Sequence, residues 1–474
     1  MREHIRESLR FAYLEGFFGA PIATITSGAL LTGFALYLGA TPFEISIILA
    51  LPFVTQIIQL FGPGIIDTFG DRRAVTAYGT FFARLTWFPI ALLPILLMYG
   101  WDPIPLFLAL AALSLIFYNF GLNSWLIWMS DLIPRNLRGR FFGRRNMYVG
   151  VVSTLVLLGA GVFLDLFTRH NLEGTGYAVL ILAGIVLGYF SFRYQMRVAD
   201  APEKTKESVS LRELMQEFRT NKRFSSILLF ISVWTLATGI AAPFYYVHLF
   251  RFIEWTYSEV TIYAAIATGL PLIVQPFWGK ILDRVGHKPL LHLCGTSVTI
   301  APLVWILITP ALAHLLWIEA MFSGVLWAGI NITVFNIVLY ALPGERKAPV
   351  VAVFSAVTGF INFIGMLLGG IVVSILGSLS FQVGEWQFVV YHATFFLSFV
   401  GRVSSLGLIR KIQEPEAKQV IVVAQMIASG LTKRISLGRQ FWVFWTKLNG
   451  KNGTKKHGKN GKNAEVEQNN NQRA

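Results

Sequence analysis

Gly279-Lys280-Ile281-Leu282-Asp283-Arg284-Val285-Gly286-His287-Lys288 is a short charged turn between two long apolar runs. An imperfect copy stands in the other half of the chain: Gly64-Ile65-Ile66-Asp67-Thr68-Phe69-Gly70-Asp71-Arg72-Arg73. A glutamine precedes the central aspartate of each at the same distance, Gln59 and Gln275. A charged turn duplicated between hydrophobic segments points to a membrane protein built from two related helical bundles, as transporters with internal repeats are.

Composition agrees. The 474 residues are 54% hydrophobic and 14% charged, where a soluble domain carries about 25% charged residues. The formal net charge of +15 does not read as a nucleic-acid surface, because the basic residues sit between apolar segments and in the tail. The one cysteine, Cys294, excludes a disulfide framework and reads as a small apolar filler. Met1–Arg10 is basic, but the apolar run after it outlasts a signal peptide, so none is expected.

A helix needs about 20 apolar residues to cross a bilayer. Twelve segments qualify: 11–38, 44–66, 74–99, 104–129, 144–167, 175–194, 225–250, 257–281, 289–309, 312–340, 348–376 and 388–410. The turn Gly100-Trp101-Asp102-Pro103 separates the third from the fourth. The split at Thr309-Pro310 leans on symmetry with the first half. Alternate connections hold Arg72 and Arg73, then Arg135, Arg138, Arg140, Arg144 and Arg145, then Lys280, Arg284 and Lys288, then Arg346 and Lys347. The opposite connections contribute Arg169 and Arg251. By the positive-inside rule both termini are cytoplasmic and the number of spans is even. The expected fold is all-α and polytopic, with twelve transmembrane helices in two pseudo-symmetric six-helix bundles. The expected domains are an N-terminal bundle over 1–194, a cytoplasmic linker over 195–224, a C-terminal bundle over 225–410 and a largely disordered cytoplasmic tail over 411–474.

Within the linker, Leu211, Leu214, Met215 and Phe218 share one helical face, which suits either an interfacial helix or a plain connecting one. Residues 419–447 suit a surface helix on an anionic membrane or simple tail. Gly16-Phe17-Phe18-Gly19-Ala20-Pro21 in the first span and Gly239-Ile240-Ala241-Ala242-Pro243 in the seventh place small residues beside a proline. They imply discontinuous helices near a substrate cavity, or ordinary small-residue packing.

These turns resemble the signature of the major facilitator superfamily, Gly-x-x-x-Asp-(Arg)-x-Gly-(Arg)-(Lys/Arg). The second copy fits with Gly279, Asp283, Arg284, Gly286 and Lys288. The first keeps Asp67, Gly70 and Arg72, and has Thr68 and Asp71 where arginine is usual. A second family-like stretch runs from Asp131 through Pro134, Arg138, Gly139 and Arg140 to Arg144, with a weaker counterpart at Pro343-Gly344-Glu345-Arg346-Lys347. The resemblance covers about residues 10–410 and implies solute transport by alternating access. It further implies that Asp67 and Asp283 are conformational latches, with Arg138 and Arg140 as partners of Asp67. A carboxylate beside an arginine or a helix N-terminus in one state alone biases a two-state equilibrium. A static salt-bridge network is the other reading. The run Gly150–Asp165 has Gly159 and Gly161 but no proline, a departure from the family's drug/proton antiporters.

Ionisable groups inside spans are costly and therefore functional candidates. Arg84 falls near the middle of the third span. Glu15, early in the first, is a candidate partner although at a different depth, and a candidate proton carrier. Glu319, His248 and His392 fall near external helix ends, where a histidine is expected to be interfacial. Arg402 is expected to snorkel to the interface. Asn119 and Asn123 share one face in the fourth span. Asn331 and Asn336 lie in the tenth, and Asn362 joins Thr358 in the eleventh. These amides either line a cavity or fasten helices.

Gly453-Thr454-Lys455-Lys456-His457-Gly458-Lys459-Asn460 approaches a phosphate loop but lacks the final hydroxyl and the strand-to-helix setting. No nucleophile–base set, metal cluster or cofactor site is read from the sequence. The leading expectation is a monomeric, non-enzymatic secondary or facilitative transporter for a small molecule, with protons as a candidate coupling ion. It would sit in a bacterial inner membrane. The alternative is a transport-inactive receptor or assembly factor on the same scaffold.

Overall fold

The computed structural model describes residues 2–61, 71–200, 221–341, 347–412 and 414. Asp67, Gly70, the linker segment 211–218, Arg346 and the tail segment 419–447 lie outside the described residues.

Among the described residues eleven helices are long and apolar enough to cross a membrane, and the shorter apolar helix Pro42–Ile58 takes the second place. In chain order the spans are 1 (Glu7–Tyr37), 2 (Pro42–Ile58), 3 (Arg72–Met98), 4 (Ile104–Leu132), 5 (Leu137–Arg169), 6 (Glu173–Gln195), 7 (Lys222–Arg251), 8 (Tyr257–Val285), 9 (His287–Leu307), 10 (Pro310–Val338), 11 (Phe354–Leu376) and 12 (Tyr391–Lys411). They are the twelve expected from hydropathy. One revision matters below: the fifth helix starts at Arg135, directly after Pro134, so Arg144 and Arg145 lie well inside it rather than at its start.

Residues 8, 128 and 199 meet at one end of the bundle, which we call the terminal face. Residues 36, 165, 173, 251 and 257 meet at the other, the distal face.

Contacts repeat between the halves. Span 1 packs on spans 5 and 6 as span 7 packs on 11 and 12, and 3 packs on 4 as 9 packs on 10. The two largest seams between the halves, among the described residues, are span 5 against span 8 and span 2 against span 11. The operation that carries span 2 onto 8 and span 11 onto 5 exchanges these seams, so the architecture is pseudo-symmetric.

Helix starts repeat too. Thr41 and Glu44 form a reciprocal capping box at the head of span 2, with Thr41 N–H donating to Glu44 Oε2 over 2.8 Å. Thr256 and Glu259 do the same for span 8, also over 2.8 Å. Each box satisfies two backbone donors that the first turn of a helix leaves free.

Several spans are broken. Span 1 breaks at Thr26-Ser27, where both hydroxyls bond back to the preceding turn and Gly28 takes φ +54°. Such back-bonding competes with the helical ladder. Pro21 itself stays within the helix, so the discontinuity expected beside it lies further along. Span 7 breaks at Ala242-Pro243. The outer spans 3 and 9 break as well, at Thr86 and at Thr299-Ile300. Between spans 11 and 12 a two-stranded hairpin, β1 (Phe381–Val383) and β2 (Trp386–Phe388), turns at Gly384 and stacks Phe381 on Phe388. Trp386 anchors it by donating to the Ile306 carbonyl.

Candidate functional site

Span 1 carries Glu15 on the same side as Gly16 and Gly19. Glu15 Oε2 accepts from Arg145 Nη2 of span 5 at 2.8 Å, and their side chains are 8% and 16% exposed. Gly16 is needed for this approach, since a Cβ there would fall 3.2 Å from the Arg145 guanidinium carbon. Gly19 plays the same part for Arg84: a Cβ would fall 3.0 Å from its Nη2. Arg84 reaches from span 3 to donate to the Gly188 carbonyl of span 6 at 2.9 Å. The partner of Glu15 is therefore Arg145, and Arg84 stands within electrostatic range of both Glu15 and Tyr118. The Arg145 guanidinium also lies 4.2 Å from the centre of the Trp125 ring, a cation–π contact.

Tyr118 of span 4 is within electrostatic range of Arg84, Glu15 and Arg145, yet it is 41% exposed. Charged groups in a spanning segment turn to the bundle interior or to water, not to lipid, and Tyr118 is the partly exposed residue beside these.

The second half has its own polar interior. Glu319 of span 10 accepts from Tyr263 of span 8 at 2.7 Å and from Ser323. Arg402 is 3% exposed and does not snorkel. It donates to the Val298 carbonyl, freed by the break in span 9, and to Tyr245. The rings of Trp234 and Trp327 flank it, and that aromatic box leaves its stem no path to the interface. His248 and His392 are buried as well, with ring centres 5.3 Å apart among Phe252, Trp305 and Phe395. They are core rather than interfacial.

The amides divide. Asn119 is buried and donates to Thr55 of span 2 and to the Leu115 carbonyl, so it fastens helices. Asn336 bonds back to Ile332, Asn331 is exposed, and Asn362 packs its oxygen against Gly239. Asn123 is half-buried on span 4.

At the terminal face Arg72 pairs with Asp131 of span 4, both almost buried, while Ser124 donates to the Arg72 carbonyl. Arg138 donates to the Ile133 carbonyl and Arg140 is exposed. In the second copy of the turn Gly286 takes φ +91°, ending span 8 and opening span 9. Gly279 lies 3.4 Å from Ile332 by the same Cβ measure. Lys288 donates to the carbonyls of Arg410 and Ile412. Asp283 and Arg284 are exposed, and among the described residues neither forms an ion pair.

The distal face is closed. Asp165, at the end of span 5, accepts from the backbone N–H of Tyr257 at 2.8 Å and of Ser258 at 3.0 Å, across the seam to span 8. The Tyr257 hydroxyl donates to Glu173, and Arg251 reaches the Leu36 carbonyl. Each seam also has a glycine pressed against a hydroxyl. A Cβ at Gly161 would collide with Thr261, and one at Gly370 with Ser46. The hydrogen bonds that join the two halves between described residues all lie at this face. Nothing in the sequence marked Arg145, Tyr118, Asp165 or Tyr257 as site residues, or Asp131 as the partner of Arg72. A surface pocket of about 550 Å³ opens nearby, lined by Arg251, Glu254, Gln387 and Tyr391, but it belongs to the second half and touches none of the interior charges.

A family model described as Major Facilitator Superfamily matches residues 16–365 and 253–448. The chain belongs to the major facilitator superfamily. It is a solute transporter and an integral membrane protein. Solved structures with the same fold include a D-xylose–proton symporter, at 14% identity over 88% of this chain and 100% of that one, TM-score 0.64. The nucleoside transporter NupG matches at 14% identity over 87% and 99%, TM-score 0.61. A bacterial homologue of the iron transporter ferroportin, in an inward-facing state, matches at 14% identity over 87% and 99%, TM-score 0.61. At these identities the likeness speaks for the fold alone. No curated protein sequence matches the chain.

Proposed function

We propose that the chain carries a small solute through the space between residues 1–194 and 225–410 by alternating access, and that the structure is its state open toward the terminal face. The carrying observation is the one-sided seam: Asp165 on the head of span 8 and Tyr257 on Glu173 close the distal face, while Asp283 stands exposed. A latch that engages only when the terminal face closes leaves its aspartate free in this state. Asp67 and Asp283, with Gly70, Arg72, Arg138, Arg140, Gly279, Arg284, Gly286 and Lys288, form the two latch turns in this reading. The basic connections make the terminal face cytoplasmic, as in a bacterial inner membrane, so the state is inward-open. The protein acts as a monomer without cofactor or enzymatic step. Glu15 is the group placed to couple a proton, since protonating it would release Arg145.

The test uses distances between spin labels in a Cys294→Ser background. One pair, at His170 and Glu254, reports the distal face, and another, at Leu137 and Lys280, reports the terminal face. Asp165→Asn removes a charged helix-capping acceptor worth about 1 kcal/mol. It should move population, about fivefold, toward a state with a longer distal and a shorter terminal distance. Distances that stay single and unchanged in the variant would sink the proposal.

A further inference from the structure

We infer that the transported solute is an organic anion, recognised by Arg84 and Arg145 along the glycine face of span 1. The inference rests on the transport reading above and names its cargo class. Two guanidinium groups converge on one carboxylate. Glu15 pairs with Arg145, and among the described residues Arg84 has no carboxylate within ion-pair distance, only the Gly188 carbonyl. The cluster carries one positive charge in excess. An uncompensated charge in a low-dielectric interior is costly, and a bound anion removes that cost.

The site is built for such a ligand. Gly16 and Gly19, three residues apart on one helical face, leave room for both guanidinium groups where any side chain would press on them. Among the described residues the buried Arg145 Nε has no hydrogen-bond partner. Planar guanidinium forks match the two oxygens of a carboxylate or phosphate. Tyr118, exposed beside the cluster, adds a hydroxyl and an aromatic face for the rest of the solute. In the second half the Arg402 Nε is likewise buried without a hydrogen-bond partner among the described residues. There, however, Arg402 and Glu319 lie within electrostatic range and balance, so that interior carries no positive charge in excess.

The charge of the site can be read with small thiol reagents in place of the solute. Tyr118→Cys, in a Cys294→Ser background, is placed in phosphatidylcholine nanodiscs. Labelling rates are measured with neutral, anionic (ethylsulfonate) and cationic (trimethylammonium) methanethiosulfonates, each normalised to its rate with a free thiol. An excess positive charge nearby should favour the anionic over the cationic reagent about tenfold. Arg84→Gln should bring the ratio close to one, and Glu15→Gln should raise it. The two variants move the ratio in opposite directions, so a folding defect in one does not shelter the inference. Labelling by the neutral reagent with a normalised ratio at or below one overturns the anion inference and leaves the transport reading standing. Failure of all three reagents to label removes the interior space and both readings with it. Slower labelling in citrate or glycerol phosphate, but not in sorbitol, assigns a free anion. Slowing only after phosphatidylglycerol is added to the nanodisc assigns a lipid headgroup.

Discussion

In the first half the small residues of the inner helix make room for charge: Gly16 lies against Arg145 and Gly19 against Arg84. In the second half they make room for another helix. Gly239 meets Asn362 and the backbone of span 11, while Gly365 and Gly369 of span 11 press on carbonyls of span 7. Glu15 is held by a cation, whereas Glu319 is held by two hydroxyls. The frame was duplicated and its contents diverged. One half keeps a positive charge in excess, and the other sets one buried cation against one buried carboxylate among neutral partners. The seams differ in the same sense. Asp165 caps span 8 through the N–H groups of Tyr257 and Ser258. The matching first turn of span 2 begins with Pro42, which has no N–H to offer.

The largest expected effect tests whether the terminal turns are anchored differently. Arg72 and Asp131 form an almost buried pair, and removing one partner of such a pair costs about 3–5 kcal/mol. Asp131→Ala should lower the unfolding free energy in mixed micelles by that amount, and Arg72→Met with Asp131→Leu should recover most of it. Asp283→Ala, at the exposed aspartate of the second turn, should stay within about 0.5 kcal/mol. Equal losses from Asp131→Ala and Asp283→Ala would erase the difference between the turns.

Carboxylate-to-amide changes sharpen the contrast between the interiors. Glu15→Gln leaves Arg145 without its anion. Allowing for the partial exposure of Arg145, the loss should be about 2–3 kcal/mol. Glu319→Gln keeps one acceptor for Tyr263 or Ser323 and should lose about 1 kcal/mol. Thermal unfolding of the two variants under one condition gives the order directly, and a reversed order would contradict the assignment of roles.

The spans and the duplicated turns were legible in the sequence because hydropathy and charge act at the scale of whole segments. A further repeat was there to be read. Thr41-x-x-Glu44 and Thr256-x-x-Glu259 are spaced 256 − 41 = 215 residues apart, beside the turn's 283 − 67 = 216, and both fold as capping boxes. Arg145 was harder. It ends a basic run, and only the helix start at Arg135 decides that it turns inward to Glu15 while its neighbour Arg144 stays exposed. Arg402 looked free to snorkel because nothing local in sequence shows that Trp234 and Trp327, from two other spans, enclose it. Asp165 was hidden for the same reason: its partners are backbone N–H groups, which any sequence supplies. Long-range side-chain pairing is set by helix phase and depth, and neither is fixed by the hydrophobic pattern of one helix alone.

Glycine substitutions separate the two inner helices at a smaller scale. A Cβ at Gly369 would run into the Ile240 carbonyl, which is backbone and cannot swing aside. Gly369→Ala should therefore cost about 1–3 kcal/mol. At Gly19 the nearest atoms are the tip of Arg84 and the Ser191 hydroxyl, and a flexible tip can shift. Gly19→Ala should cost under about 1 kcal/mol while changing the charge selectivity of labelling at position 118. A Gly19→Ala variant that unfolds more readily than Gly369→Ala would reverse the picture of a charge-bearing helix beside a packing helix.

A comparably small effect is a pH dependence confined to the second terminal turn. Glu414 accepts from the backbone N–H groups of His287 and Lys288 at 2.9 and 2.7 Å, at the head of span 9, and meets His287 Nδ1 at 2.7 Å. Burial pushes the carboxyl up, but the bond from the His287 side chain and the two backbone donors outweigh it and hold it below the ordinary carboxylate range. A carboxylate whose folded value is depressed contributes stability above its unfolded pKa and loses it as the pH falls through the folded one. Glu414→Gln should thus be less stable than the parent by about 1 kcal/mol at neutral pH. The gap should shrink as the pH falls below the ordinary carboxylate value of 4.5. At the first turn the corresponding cap is Asp71, which accepts from Ala74 N–H at 3.0 Å. Asp71→Asn keeps an acceptor of the same reach there, so its gap from the parent should be smaller at every pH. Parallel stability–pH curves for Glu414→Gln and the parent, still separated in acid, would show that the carboxylate's charge is not what ties Glu414 to span 9.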